Sequence, residues 1–266
     1  MGAFIILSGN LPTLEKSLFR NLLAAIFTFI VLLKQKPNLN LSKKAWKVLL
    51  IRSFFGALAL FANFYAIDHL LLADATMIGR LSPFFIILFS SVFLNEKITK
   101  YHILFIFIAF IGSTFIIKPQ LNFTYLFPYF IALLGTIASG IAFTMIRRAR
   151  QLAINSTFII FFFSIFSTIL NIPFAIYYYQ PVTLLQFFFL LCTGLCAFAA
   201  QFSLTQAYFN APARDISILD YSQLIFAGLF GYLIFNQKPD HSSIIGYVIT
   251  LFAGIALFLY SRRKIN

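Results

Sequence analysis

A few polar residues stand inside long apolar runs of this chain: Arg80, Asp220, Tyr221 and Gln223, with Asn63, Tyr65, Thr76, Gln201 and Gln206 as further examples. If those runs lie in hydrocarbon, each charge is costly, and a charged residue there points to function by default. The planar guanidinium of Arg80 can clamp a carboxylate or phosphate with two hydrogen bonds. Thr76 and Arg80 are four residues apart and Pro83 three further on, so one helix face carries all three toward a polar cavity. The other reading of Arg80 is snorkelling to the interface or an internal ion pair. Asp220 has Gln223 at i+3 and Tyr221 on an adjoining face. Burial favours the protonated form of a carboxylate, so Asp220 is a candidate proton or cation site, against a structural hydrogen bond to a neighbouring helix. The candidate substrate-binding set is Arg80, Asn63, Tyr65, Thr76, Tyr221, Gln223 and Gln201, with Asp220 as the coupling residue. For the amides and Tyr65, interhelical hydrogen bonding is the competing role.

The elements that must position these groups follow from composition. Of 266 residues, 61% are hydrophobic and only 10% charged, too little polar surface to clothe a soluble domain. Apolar runs recur at 14–33, 48–67, 72–94, 103–117, 123–146, 154–178, 184–209, 216–235 and 244–260, mostly the roughly 17–25 residues that a bilayer core demands of a helix. The short alternating segments of a membrane β-barrel are not seen. The expected class is an all-α, multi-pass membrane protein with nine complete spans, preceded by the short apolar stub 2–7.

The net charge of +13 is carried by short loops, which argues for orientation in a membrane and against nucleic-acid binding. With the loop containing Lys34, Lys36, Lys43, Lys44 and Lys47 on the cytoplasmic side, alternation puts Lys97, Lys100, Arg147, Arg148, Arg150, Arg214 and the terminal Arg262, Arg263 and Lys264 there too. Lys16, Arg20, Lys118 and Lys238 fall outside. The C-terminus is therefore expected in the cytoplasm.

A weak internal repeat runs at an offset of 141 residues, matching Ala66 to Ala207, Asp74 to Asp215, Phe89 to Phe230, Asn95 to Asn236 and Lys97 to Lys238. The span after Asp74 starts outside and its mate after Asp215 starts inside. Repeats of opposite orientation are the mark of transporters whose substrate site lies near the midplane. The expected halves are 1–119 and 120–266, the second with five helices and the first with four and the stub, which reads as a truncated first helix.

Several residues carry blander readings. Asp74 and Asp215 stand where they would cap helix N-termini, with proton coupling as the alternative. Pro83 interrupts the hydrogen-bond ladder. Glu15 and Arg20 sit at the outer mouth, five residues apart. Glu96 reads as a loop residue near Lys97 and Lys100. Cys192 and Cys196 share a helix face without His or carboxylate partners, which means packing rather than metal. No Gly-rich phosphate loop is present, so neither a cofactor nor ATP-driven transport by this chain alone is expected.

The segments YAIDHLLLADATMIGRLSPFFIILFSSVFLNEKIT with IAFIGSTFIIKP, and QAYFNAPARDISILDYSQLIFAGLFGYLIFNQKPD with IIGYVITLFAGIALFL, resemble the EamA-type branch of the drug/metabolite transporter superfamily. Ala75-Thr76, Ser82-Pro83 and Leu94-Asn95-Glu96 match its motif, and LPTLEKSLFR at 11–20 is similar to the opening of its second helix. The resemblance implies a ten-helix inverted-repeat bundle, a central cavity, both termini cytoplasmic, and secondary transport of small metabolites, amino-acid-like or S-adenosylmethionine-like. Arg80 departs from the family, which usually carries an uncharged residue there. The expected setting is a bacterial inner (plasma) membrane. The expected partners are a small-molecule substrate, a proton or counter-substrate and the lipid bilayer, with a homodimer left open. The alternatives are a membrane-embedded enzyme and a non-transporting membrane assembly protein.

Overall fold

The computed structural model describes the chain apart from Met1, Asn10 and residues 38–39, 121–125, 178–179, 237 and 264–266. Phe123, Tyr178 and Lys264, where the sequence reading placed a span start, a span end and a cytoplasmic charge, lie outside the described residues. All the secondary structure among the described residues is helical, as hydrocarbon requires of a chain that must satisfy its backbone hydrogen bonds within each segment. In chain order the α-helices are α1 (Gly2–Leu7), α2 (Thr13–Gln35), α3 (Lys43–His69), α4 (Leu72–Gly79), α5 (Ser82–Leu94), α6 (Lys100–Ile117), α7 (Leu126–Gln151), α8 (Ser156–Tyr177), α9 (Leu184–Asn210), α10 (Ala213–Ile216), α11 (Ser222–Phe235) and α12 (His241–Arg263). A 3₁₀ turn, Ser217–Tyr221, joins α10 to α11. Among the described residues nine segments are long and apolar enough to cross a membrane, so every span expected from the sequence is present. Two crossings are discontinuous: Ala73–Leu94, made of α4 and α5, and Ala213–Ile234, made of α10, the 3₁₀ turn and most of α11.

The chain forms two compact units, Met1–Ala57 with Met145–Asn210, and Leu58–Thr144 with Ala211–Asn266. In the first, α2 packs on α8 and α9 through aromatic pairs. Phe29 stacks on Phe161 at 5.7 Å and Phe27 on Phe198 at 5.4 Å, while Phe19 meets Phe187 edge-on at 5.9 Å. Contacts run in the same order along α2 and α9, which are parallel. They reverse between α2 and α8, where Phe29 meets Phe161 and Glu15 shares a cavity wall with Ala175.

In the second unit the repeat is visible as geometry. Helix α5 ends at Asn95 and α11 at Asn236, both in the left-handed conformation with φ of 53° and 52°. Helices α6 and α12 begin at Lys100 and His241, so both correspondences keep the 141-residue offset. The mates α6 and α12 lie antiparallel: Tyr101 meets Tyr260 at 4.7 Å, while Gly112 faces Gly246 and Thr250 toward the other end. The equivalent helices thus have inverted directions. Ile87, Ile106, Ala109, Ile218, Tyr221, Leu224, Ala253 and Leu257 form one core cluster of this unit, and Ala66, Leu70, Ala75 and Ala132 a second.

The closest approach between α6 and α12 depends on glycine. A Cβ on Gly112 would stand 2.6 Å from Thr250 Oγ1 and 3.0 Å from the Gly246 carbonyl oxygen, whereas one on Gly254 meets nothing within 4 Å. Gly112→Val is expected to destabilise the protein by about 1–3 kcal/mol through overpacking, and Gly254→Ala to be neutral. Thermal unfolding of both variants in the same detergent checks the difference.

Candidate functional site

The two discontinuous crossings meet at their breaks. Helix α4 stops at Gly79, and α5 restarts at Ser82 with Pro83 in its first turn. Pro83 has no N–H to offer the Gly79 carbonyl, so the ladder opens there. The backbone N–H of Arg80 closes the preceding turn on the carbonyls of Thr76 and Met77, at 3.2 and 3.1 Å. The side chain of Arg80 crosses to the other break, where Nη1 donates to the Asp220 carbonyl at 3.2 Å and to Gln223 Oε1 at 3.4 Å. In return the Tyr221 hydroxyl donates to the Arg80 carbonyl at 2.7 Å. Arg80 and Tyr221 are 141 residues apart, which is the repeat offset. The break of each half is therefore tied to the break of its inverted mate through a pair of equivalent positions.

The site combines a fixed cation with open space. Arg80 Nε has no partner among the described residues, and Nη1 makes both contacts. The Asp220 carboxylate lies within electrostatic range of the guanidinium. Beside Arg80, Gly79 is exposed, and a Cβ there would meet nothing within 4 Å. Helix α7 runs alongside with hydroxyls: Thr136 Oγ1 donates to the Ile78 carbonyl and Ser82 Oγ to Ser139 Oγ, each at 3.3 Å. A planar cation in a helix break beside an exposed glycine is a group that can pair with a carboxylate or phosphate.

Of the residues singled out from sequence, Arg80, Asp220, Tyr221 and Gln223 come together here, and Thr76 joins through its carbonyl. Tyr65 lies apart from them, stacked on His69 at 4.0 Å and edge-on to Phe127 at 6.2 Å. Asn63 is exposed on α3 and makes no hydrogen bond among the described residues. Gln201 belongs to the other unit, on α9, with Nε2 3.5 Å from Thr205 Oγ1 one turn on. Gln206 makes an interhelical bond, Nε2 to Ser156 Oγ at 2.9 Å.

Two expected roles are corrected. Asp74 and Asp215 do not cap their helices, which start earlier, after Leu71 and Pro212. Asp74 is buried and accepts the Gln120 N–H at 2.6 Å and the Tyr129 hydroxyl at 2.5 Å, tying α4 to the α6–α7 connection and α7. Asp215 accepts from His102 Nε2 at 3.0 Å. The Thr99 N–H donates to Nδ1 of the same ring at 3.3 Å, which assigns the proton to Nε2. Glu96 caps the start of α10, with Oε2 accepting the Ala213 N–H at 3.1 Å.

Two charged features have little signal in the sequence, Arg52 and the pairing of Lys118 with Asp240. Arg52, on α3, is buried with its guanidinium 4.2 Å from the Phe163 ring centre, in a niche that the bare Cα of Gly56 leaves open. Its one legible signal is a positive charge inside an apolar run. Lys118 pairs with Asp240, whose carboxyl is held below the usual range chiefly by that ammonium and by the Ser243 hydroxyl. Both lie outside the spans and are exposed, so the pair fastens α6 to α12 only weakly.

Nine apolar crossings among the described residues, helix mates of opposite direction and two discontinuous helices joined at their breaks mark a multi-pass membrane protein of the transporter kind. The particular family is equally plain: the chain belongs to the EamA-like transporter family, whose model matches residues 3–118 and 126–260. The pseudopaline exporter CntI of Pseudomonas aeruginosa is 32% identical over 252 residues, which cover 94% of this chain and 87% of that one. An S-adenosylmethionine uptake transporter of Rickettsia bellii is 26% identical over 209 residues, 75% of this chain and 68% of the other. A crystal structure at 15% identity superposes with a TM-score of 0.86, covering all of this chain and 93% of its own, a likeness of fold alone. The family and these named relatives are transporters rather than enzymes, which sets the membrane-embedded enzyme aside.

Proposed function

We propose that the protein is a secondary transporter of small polar metabolites bearing a carboxylate, working by alternating access between its two inverted repeats, 1–119 and 120–266. The observation that carries this reading is the Arg80 guanidinium, which bridges two helix breaks beside the exposed Gly79. Arg80 holds the anionic group of the substrate, Gln223 positions it by a hydrogen bond, Tyr221 steadies the Arg80 backbone through its hydroxyl, and Asp220 carries the coupling charge or proton. Thr76, one turn before Arg80 on α4, completes the site. An amino-acid-like or S-adenosylmethionine-like substrate has the required carboxylate, and the names of the two bacterial relatives, which refer to pseudopaline and S-adenosylmethionine, support a metabolite of that size.

The basic loops support a bacterial inner membrane setting with the C-terminus in the cytoplasm. Reconstitution into proteoliposomes tests the proposal. Preloading with unlabelled substrate is expected to accelerate uptake of the same labelled compound for at least one member of a panel of carboxylate-bearing metabolites. A panel spanning anionic and zwitterionic compounds that gives no counterflow above empty liposomes contradicts it.

A further inference from the structure

A second candidate site lies within the unit formed by Met1–Ala57 and Met145–Asn210. Glu15, in the first turn of α2, is only 4% exposed. One carboxylate oxygen accepts the backbone N–H of Gln180, while Oε2 has no partner among the described residues. Glu15 forms part of the wall of a cavity of about 660 Å³, whose other walls are apolar: Leu18 and Phe19 from α2, Ile172 and Ile176 from α8, and Val182 beyond it. The cavity lies where the crossing Glu15–Gln35 begins and the crossing Ser156–Tyr177 ends.

A buried carboxylate with one oxygen unsatisfied is a costly arrangement that a cationic partner relieves. The basic groups nearby on the chain are turned elsewhere. Lys16 Nζ donates to the carbonyls of Ile5 and Gly9, and Arg20 donates through Nε and Nη2 to Asn21 Oδ1. A cation seated here must bring an apolar body for the remaining walls, which excludes a bare metal ion.

The geometry points to a site for an ammonium group carried on an apolar chain, with the Glu15 carboxylate receiving the ammonium and Leu18, Phe19, Ile172 and Ile176 receiving the chain. A free long-chain amine offers this chemistry directly, and phosphatidylethanolamine offers an ammonium joined to its acyl chains through a phosphate and glycerol.

The test is native mass spectrometry of the full chain in detergent, titrated separately with dioleoylphosphatidylethanolamine, dioleoylphosphatidylglycerol, decylammonium and decanol. The wild type is expected to retain at least one of the two ammonium probes over its uncharged or anionic control, and Glu15→Gln to weaken that binding by roughly tenfold or more. Ala175→Leu, which keeps the carboxylate and adds bulk at a buried part of the cavity wall, is expected to weaken the same probe, so the inference stays testable should Glu15→Gln fail to fold. Retention of phosphatidylethanolamine alone assigns a lipid site, and retention of decylammonium alone assigns a site for soluble amines. Equal binding by the wild type and both variants, or decanol and phosphatidylglycerol binding as tightly as the ammonium probes, overturns it.

Discussion

Arg80→Ala is expected to lower transport of a carboxylate-bearing substrate at sub-saturating concentration by roughly 10- to 150-fold, the equivalent of losing one hydrogen-bonded charge contact of about 1.5–3 kcal/mol. The loss falls on apparent affinity first, because the guanidinium is proposed to meet the substrate when it binds. Arg80→Lys keeps the charge but not the fork and is expected to fall between the two. Arg80 also ties the breaks together through Asp220 and Gln223, so a structural contribution has to be separated out. Tyr221→Phe does this. It removes the reciprocal bond to the Arg80 carbonyl at a cost of about 1 kcal/mol in stability, keeps the ring in the core, and is expected to leave the preference for carboxylates intact. Initial rates of uptake for a substrate and its amide or ester analogue, in all four proteins, check the pattern: only the Arg80 variants should narrow the gap between acid and analogue.

Asp220→Asn carries the second large effect. An amide of the same shape cannot take up or release a proton, so accumulation driven by a pH gradient is expected to fall at least tenfold while counterflow at symmetrical pH persists. The split between the two assays is the informative readout, since a misfolded variant would lose both. Arg80 and Tyr221 lie within electrostatic range of Asp220, and neither a guanidinium nor a phenol substitutes for a carboxylate as a proton carrier near neutral pH. Retention of full gradient dependence by Asp220→Asn moves the coupling elsewhere in the protein.

The spans were readable from sequence because the bilayer imposes their length and polarity whatever the packing. The break at Arg80 could be anticipated from Pro83, which withholds a donor. The matching break at Ser217–Tyr221 could not, since SILDY contains neither Gly nor Pro, and its tightening is a property of the tertiary setting. The juxtaposition of Arg80 and Tyr221 was latent in the 141-residue repeat, because in an inverted pair equivalent positions near the symmetry axis face each other.

Asp74 was misread because capping is a local rule, and its partners Gln120 and Tyr129 lie 46 and 55 residues away. Arg52 was missed for a similar reason: Phe163, on which it stacks, is more than a hundred residues distant. Among the buried polar groups, sequence named the candidates, but only the fold separated Arg80 and Gln223, which converge at a break, from Asn63 and Tyr65, which do not.

The central claim is that substrate sits at the Arg80 break. Gly79 offers the most direct access to it, being exposed, adjacent to Arg80 and free of neighbours around its missing side chain. With Cys192 and Cys196 replaced by alanine and Gly79→Cys introduced, thiol labelling in membranes should be slowed by saturating transported substrate, and not by the analogue that lacks its carboxylate. Labelling that proceeds at the same rate with and without saturating substrate would contradict the account.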